Sequence, residues 1–163
     1  MPPAESLNPR ARFLDTRIPA PIIAAVLGGA MKAYRLANGI GIDPTPLRMH
    51  LGVALSQLSA VIVLVAVASL WRAHTTINPL QPARASALVT GGAFRFTRNP
   101  MYLSLLLLLV AYAIRIDSLV VWLAPLAYLA YVTRFQILPE ERILQAKFGD
   151  AFAVYRAGTR RWI

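Results

Sequence analysis

Met101–Glu141 reads MYLSLLLLLVAYAIRIDSLVVWLAPLAYLAYVTRFQILPEE. Between Met101 and Leu138 the only charged side chains are Arg115, Asp117 and Arg134. Two apolar runs, from Met101 to about Ile116 and from about Leu119 to Leu138, are therefore separated only by a tight polar break at Arg115, Asp117 and Ser118. A connection this short forces an antiparallel helical hairpin. The first run holds five consecutive leucines, Leu105 to Leu109. At 1.5 Å per residue it measures roughly 24 Å, short against a hydrocarbon core of about 30 Å. Pro125 inside the second run predicts a kink.

Two further apolar runs lie upstream. The first extends from about Ile18 to Leu36, with Lys32 and Arg35 near its end, placed to snorkel to an interface. Gly39, Gly41, Pro44 and Pro46 then mark a loop. The second extends from about Leu47 to Trp71 with no charge between His50 and Arg72, longer than the roughly 20 residues a span needs. Trp71 suits a membrane interface. Residues 72–99 form the longest polar connection, in which Pro79, Pro82, Gly91 and Gly92 argue against a continuous helix. Asn99-Pro100 reads as a helix start, Asn as N-cap and Pro at the first position. After Pro139 the chain turns amphipathic. Leu144, Phe148, Phe152 and Tyr155 recur at helical spacing while Glu140, Glu141, Lys147 and Asp150 lie largely elsewhere, which predicts a surface helix on the membrane or on the hairpin.

The expected fold is thus all-α and integral to a membrane: four transmembrane helices, the last two a hairpin, followed by a cytoplasmic amphipathic helix. Composition agrees. Of 163 residues 57% are hydrophobic, too apolar for an ordinary soluble domain. The length fits one domain over 1–163, divided into an N-terminal two-span region (1–76) and a polar-bracketed hairpin region (77–163). Cysteine is absent, which excludes disulfides, thiolate-bound zinc and a catalytic thiol. With only His50 and His74 to supply imidazole, no metal site is expected.

The formal charge of +10 follows the spans and forms no stripe interleaved with base-stacking aromatics, so no nucleic-acid partner is expected. Thirteen of the seventeen basic residues fall before the first run, between the second and third, or at and after the end of the fourth. The other four are Lys32, Arg35, Arg48 and Arg115. This asymmetry places both termini in the cytoplasm, with an even number of spans. The first seventeen residues carry Glu5, Asp15 and three prolines, and no small-residue cleavage site follows the first apolar run, so the first helix is expected to be retained. The Ala-, Arg- and Leu-rich composition suggests a bacterial inner membrane.

Two polar segments bracket the hairpin on that same side. The first is Gly92-Ala93-Phe94-Arg95-Phe96-Thr97-Arg98-Asn99-Pro100-Met101-Tyr102. The second holds Glu140-Glu141, then Phe148-Gly149, Phe152 and Tyr155, and ends at Arg160-Arg161-Trp162. Polar groups at a membrane boundary are costly unless they meet water, each other or a ligand. Their order around a hairpin resembles the superfamily of isoprenylcysteine carboxyl methyltransferases and phospholipid N-methyltransferases. Those enzymes share G-x-(Y/F)-R-(Y/F)-x-R-(H/N)-P-x-Y, a hairpin, an acidic pair, F-G-x-x-(Y/F)-x-x-Y and a basic ending. The likeness covers roughly the last 75 residues. Asn99 stands where many members have His, and Ala93 where Pro is common.

The resemblance implies a methyltransferase that uses S-adenosylmethionine, with a lipophilic acceptor entering from the lipid. Methyl transfer is an in-line displacement that needs alignment and water exclusion more than a nucleophilic triad. On this reading Arg98, Asn99, Tyr102 and Glu141 are the candidate catalytic residues. Arg95 or Arg98 binds the cofactor carboxylate. Glu140 and Glu141 take its ammonium or ribose hydroxyls, Tyr102 and Tyr155 bound the adenine or lie over the sulfonium, and backbone at Gly91 and Gly92 approaches the cofactor closely. Each residue also has a plainer reading. The arginines and tyrosines can be interfacial anchors, the acidic pair a helix-dipole feature after Pro139, Asn99 a cap, and Phe148, Phe152 and Trp162 packing residues. Two other functions stay open: an NADPH-dependent membrane reductase of the sterol-reductase type, and a small non-enzymatic membrane protein.

Overall fold

A computed structural model describes residues 18–74 and 86–163. Arg10, Arg12, Arg17, Pro79, Pro82 and Arg84, used above for orientation and loop assignment, lie outside the described residues. Among the described residues five α-helices follow in chain order: α1 (Ala20–Ala37), α2 (Pro46–Arg72), α3 (Pro100–Ile114), α4 (Leu123–Val132) and α5 (Leu138–Gly158). A 3₁₀ turn, Gly92–Arg95, precedes α3, and another, Val120–Trp122, leads into α4. A π-helical turn, Thr133–Ile137, joins α4 to α5.

Two of these stretches are long and apolar enough to cross a membrane, Pro46–Arg72 and Val120–Gly158. Apolar side chains of α2 such as Leu64 (67% exposed) and Val61 (56%) face outward, a liability in water but the surface lipid requires. α3 is apolar but only 15 residues long, about 22 Å. α1 has 18 residues and carries Lys32 and Arg35 in its second half.

The packing of α2 on α3 follows from small residues. The buried positions of α2 are Gly52, Ser59 and Ala66, seven residues apart and therefore on one seam. Small side chains let two backbones approach. A Cβ on Gly52 would meet Arg115 Cγ and Cδ at 3.1 Å and the Ala111 carbonyl at 3.2 Å. One seam position later, Ser59 Oγ donates to the Ser104 carbonyl across the interface (2.7 Å). The core continues on the other side of α3 through Met31, Leu109, Ala113, Tyr128 and Val132, where α1 and α4 meet it. At the end of the bundle away from the acidic pair, the chain closes by a bridge between Ile42 and Ile116 and by Arg48, which pairs with Asp43 (2.7 Å) and Asp117 (3.1 Å).

Three expectations need correction. The amphipathic segment is not set apart from the fourth apolar run: helical structure leads from Val120 through the π turn to a break at Gly149 and resumes to Gly158, and Leu144, Phe152 and Tyr155 turn inward onto the site. Up to Gly149 the run measures about 44 Å, longer than the roughly 30 Å of the hydrocarbon core. Its apolar part up to Leu138 can cross while the charged part from Pro139 onward lies beyond. Second, Pro125 falls near a helix start, just after the 3₁₀ turn, rather than inside a helix. It is the third residue of α4, where its missing N–H is one of the unpaired helix-start donors anyway. The irregularities fall instead at the π turn and at Gly149, whose φ of 52° and ψ of −125° break the helical path inside α5. A side chain is strained in that region, which accounts for glycine there. Gln145 Nε2 donates to the Gly149 carbonyl (2.9 Å). Third, Asn99 stands at the N-cap position of α3 with Pro100 after it, but its side chain caps nothing. It points elsewhere, as described next.

Candidate active site

A cavity of about 470 Å³ opens where the start of α3 meets α2 and α5. Its polar end holds Arg98, Asn99, Tyr102, Glu140, Glu141 and Tyr155, with Phe94 and Phe152 as aromatic walls. Its other end is an apolar trough between α2 and α3, lined by Ala60, Val63, Leu105 and Leu108, with Ser56 and Ser59 on its floor. Leu108 is 44% exposed on the outer surface, so the trough reaches the face that lipid would cover.

The π turn sets the polar end. Its wide turn buries Gln136 completely, and Gln136 Nε2 donates to the Ile18 carbonyl at the head of α1 (2.7 Å). The helix that follows presents two consecutive carboxylates to different partners. Glu140 accepts a hydrogen bond from the Tyr102 hydroxyl (3.0 Å) and lines the cavity half-buried. Burial pushes its carboxyl up to about 7, the neighbouring Glu141 charge adds to the rise, and the Tyr102 hydrogen bond opposes it. Glu141 is 8% exposed and clamped between two guanidinium groups. Arg161 reaches it with two donors, Nε to Oε1 (3.1 Å) and Nη2 to Oε2 (2.8 Å), and Arg98 Nη2 lies 3.0 Å from Oε1. Such two-point contacts are the strong form of a charged hydrogen bond. They hold Arg161 firmly in its charged form, whereas burial pulls the Arg98 guanidinium downward.

The backbone around Arg98 is held by the far end of the chain. Arg98 N–H donates to the Arg160 carbonyl (3.0 Å), and Thr97 Oγ1 (3.2 Å) and Asn99 Nδ2 (2.9 Å) both donate to the Arg161 carbonyl. Arg98 Nη1 donates to the Arg156 carbonyl (3.1 Å), and Tyr155 Oη to the Phe94 carbonyl (2.7 Å). Trp162 Nε1 donates to Thr133 Oγ1 in the π turn (3.3 Å).

Of the residues singled out from the sequence, Arg98, Asn99, Tyr102, Glu140, Glu141 and Tyr155 come together at this cavity. Gly91, Gly92 and Arg95 are exposed and do not line it. Gly92 has a different task. With φ at 61°, a Cβ there would lie 2.2 Å from Ser69 Oγ on α2, so glycine lets the 3₁₀ turn seat against that helix. Sequence reasoning missed the contribution of α2 and of Leu105 and Leu108. The signal was the run of Ser56, Ser59 and Ala60 within an otherwise bulky apolar helix. His50 and His74 are exposed and away from the cavity. Among the described residues no group of three or more His, Asp or Glu side chains is arranged to hold a metal ion.

Among the described residues the protein is all-helical with two stretches long and apolar enough to cross a membrane, and its acidic pair closes on a polar cavity continuous with an apolar trough, the makings of an enzyme that works at a membrane boundary. Residues 47–151 match the phospholipid methyltransferase family model over well over half of the chain, and the protein belongs to that family, which implies methyltransferase activity. The matched region takes in α2, α3, α4 and most of α5, the helices that build the cavity. A protein of Haemophilus influenzae named only "Uncharacterized protein" is 40% identical over 63 residues, all of its own length and 39% of this chain. No solved structure matches.

Proposed function

We propose that this protein transfers a methyl group from S-adenosylmethionine to a lipophilic acceptor at the cytoplasmic face of a bacterial inner membrane, with four helices crossing the bilayer and both termini inside. The observation that carries the reading is the two-part cavity, polar at the Arg98–Glu140 end and apolar between α2 and α3. A water-soluble cofactor and a lipid-soluble acceptor need such a junction. The thirteen-to-four division of basic residues supports the orientation.

The residues present fit the cofactor. The volume lies within the roughly 300–1,000 Å³ of small-molecule sites. Arg98 Nε is buried with no partner, an unmet donor suited to a carboxylate or ribose oxygen. Glu140 offers a carboxylate for an ammonium or hydroxyl group, and Phe94, Phe152 and Tyr155 offer aromatic faces for a planar base. When bound, the cofactor supplies an electrophilic methyl group. The chain's part is to fix the ligand at the polar end, admit the acceptor along Leu105 and Leu108, and keep water from the reacting centre. Tyr102 stands where the two parts meet and keeps Glu140 oriented.

The test is calorimetric titration of detergent-purified protein with S-adenosylmethionine, S-adenosylhomocysteine and NADPH, followed by transfer of labelled methyl to extracted membrane lipids and to water-soluble amines and thiols. Binding of the first two and labelling confined to lipid are expected. Binding of NADPH alone would return the reductase reading, and labelling of soluble acceptors alone would remove the apolar trough from the mechanism.

A further inference from the structure

The acidic pair and the segment that ends at Trp162 carry one more inference. The two carboxylates differ in what they touch. Glu141 has both oxygens occupied by arginines, at 2.8, 3.0 and 3.1 Å, and is nearly sealed from solvent. Glu140 is engaged by Tyr102 and faces the cavity. What separates the roles is Arg161. Its side chain forks onto Glu141, while its own carbonyl takes hydrogen bonds from Thr97 and Asn99, on either side of Arg98. The Arg98 amide is tied to the preceding carbonyl, that of Arg160. A single residue therefore grips the helix that bears the acidic pair and the loop that bears the cavity's arginine. Arg161 does not line the cavity itself.

We propose that Arg161 is a positioning residue of this site: it locks Glu141 to Arg98 and so leaves Glu140 as the carboxylate that meets the ligand. The proposal rests on the methyltransferase reading above for the ligand used in its test, and on geometry alone for the lock. Guanidinium matters here because it delivers two parallel donors to one carboxylate, which an ammonium cannot do. With the lock in place Arg98, whose Nε is buried without a partner, stays on the cavity lining. Without the fork, the backbone carbonyls of Arg160 and Arg161 that anchor the 97–99 loop lose their side-chain tether to the helix bearing the acidic pair.

The test uses the full-length protein in detergent with Arg161→Ala and Arg161→Lys. Two measurements are made: S-adenosylhomocysteine affinity by calorimetry, and amide hydrogen exchange over residues 97–103 by mass spectrometry. Arg161→Ala is expected to weaken binding at least tenfold and to speed exchange at 97–103 while exchange across the middle of α2 stays native. Arg161→Lys is expected to restore part of both, because charge returns without the fork. Should Arg161→Ala fail to fold, Arg161→Lys decides, and native affinity with native exchange in that variant overturns the proposal. Unchanged binding and exchange in a folded Arg161→Ala also overturns it. If the native protein binds no S-adenosylhomocysteine, the cofactor reading fails by itself, and the exchange measurement still tests the lock.

Discussion

Protonation of Glu140 should gate cofactor binding across the neutral range. Its carboxyl is pushed up to about 7 by burial, with the Glu141 charge adding to the effect, and of the two carboxylates lining the cavity it is the one held by Tyr102 rather than clamped by Arg98 and Arg161. If it holds the ligand's ammonium, only its ionised form binds well. With a midpoint near 7, roughly 3% is ionised at pH 5.5 and about half at pH 7.0, a ratio of about fifteen, or about 1.6 kcal/mol of binding free energy. Over that interval an α-amino group stays mostly protonated, so the ligand does not supply the slope. The assay is calorimetric titration of S-adenosylhomocysteine at half-unit steps from pH 5.5 to 7.0. Affinity should rise about fifteenfold in the native protein. In Glu140→Gln it should be flat, and at pH 7.0 weaker than native by about 1.5–3 kcal/mol for the lost charged hydrogen bond. A flat native profile, or an unaltered slope in Glu140→Gln, would refute the assignment of Glu140 as the ligand's partner.

The unliganded protein should show the opposite trend. Native Glu140 holds its proton to about 7 and the unfolded chain releases it near 4.5, so the folded state binds more protons between these values and stability falls as pH rises through them. The ceiling is about 3 kcal/mol, reduced by solvent screening at the half-open cavity, and detergent melting curves at pH 5 and pH 8 read it. Glu141→Gln should cost more stability than Glu140→Gln, by about 3–5 kcal/mol, because it strands two guanidinium groups, one on a side chain only 10% exposed. Equal melting temperatures for the two variants would contradict the clamp. Gly92→Ala should lower stability by about 1–3 kcal/mol through its left-handed backbone and its approach to Ser69. Adding Ser69→Ala should recover the steric part only, so full recovery would deny the backbone term. Reporter fusions at Ile42 and Ile163 should report opposite sides with Ile163 inside, and a Leu108→Trp protein should bind cofactor normally yet label lipid acceptors poorly.

The hairpin was legible because Arg115, Asp117 and Ser118 interrupt an otherwise unbroken apolar stretch. Polar breaks of that kind decide where a chain leaves lipid. The positions of the acidic pair, Arg98, Asn99 and Tyr102 at one end were legible for the same reason. What local pattern could not reveal was division of labour. Glu140 and Glu141 are adjacent and chemically alike, and only the path of Arg161 across space tells them apart. Asn99 shows the same limit. Its place before Pro100 marks a helix start, yet its side chain serves the Arg161 carbonyl 62 residues away. Gly92 was read as a close approach to a ligand, and the structure shows it in close approach to α2. In each case composition reports that a backbone or polar group needs a special neighbour, without saying which.

The π turn at Thr133–Ile137 also bears on how this chain can change over time. A widened turn carries one more residue than an α-helical path of the same course. Losing that one extra residue from 133–137 would let the helix close into regular α geometry with the phase beyond it kept, whereas losing a second would rotate everything beyond it by about 100°. Glu140 would swing off the cavity wall, Glu141 would leave its two arginines, and the inward stripe of Leu144, Phe152 and Tyr155 would turn outward together. Point substitutions there can be graded and one deletion absorbed by closing the wide turn, but a further deletion or an insertion changes the angular phase of all of α5. This short stretch should therefore tolerate the loss of one residue far better than the regular turns of α4 and α5 on either side of it.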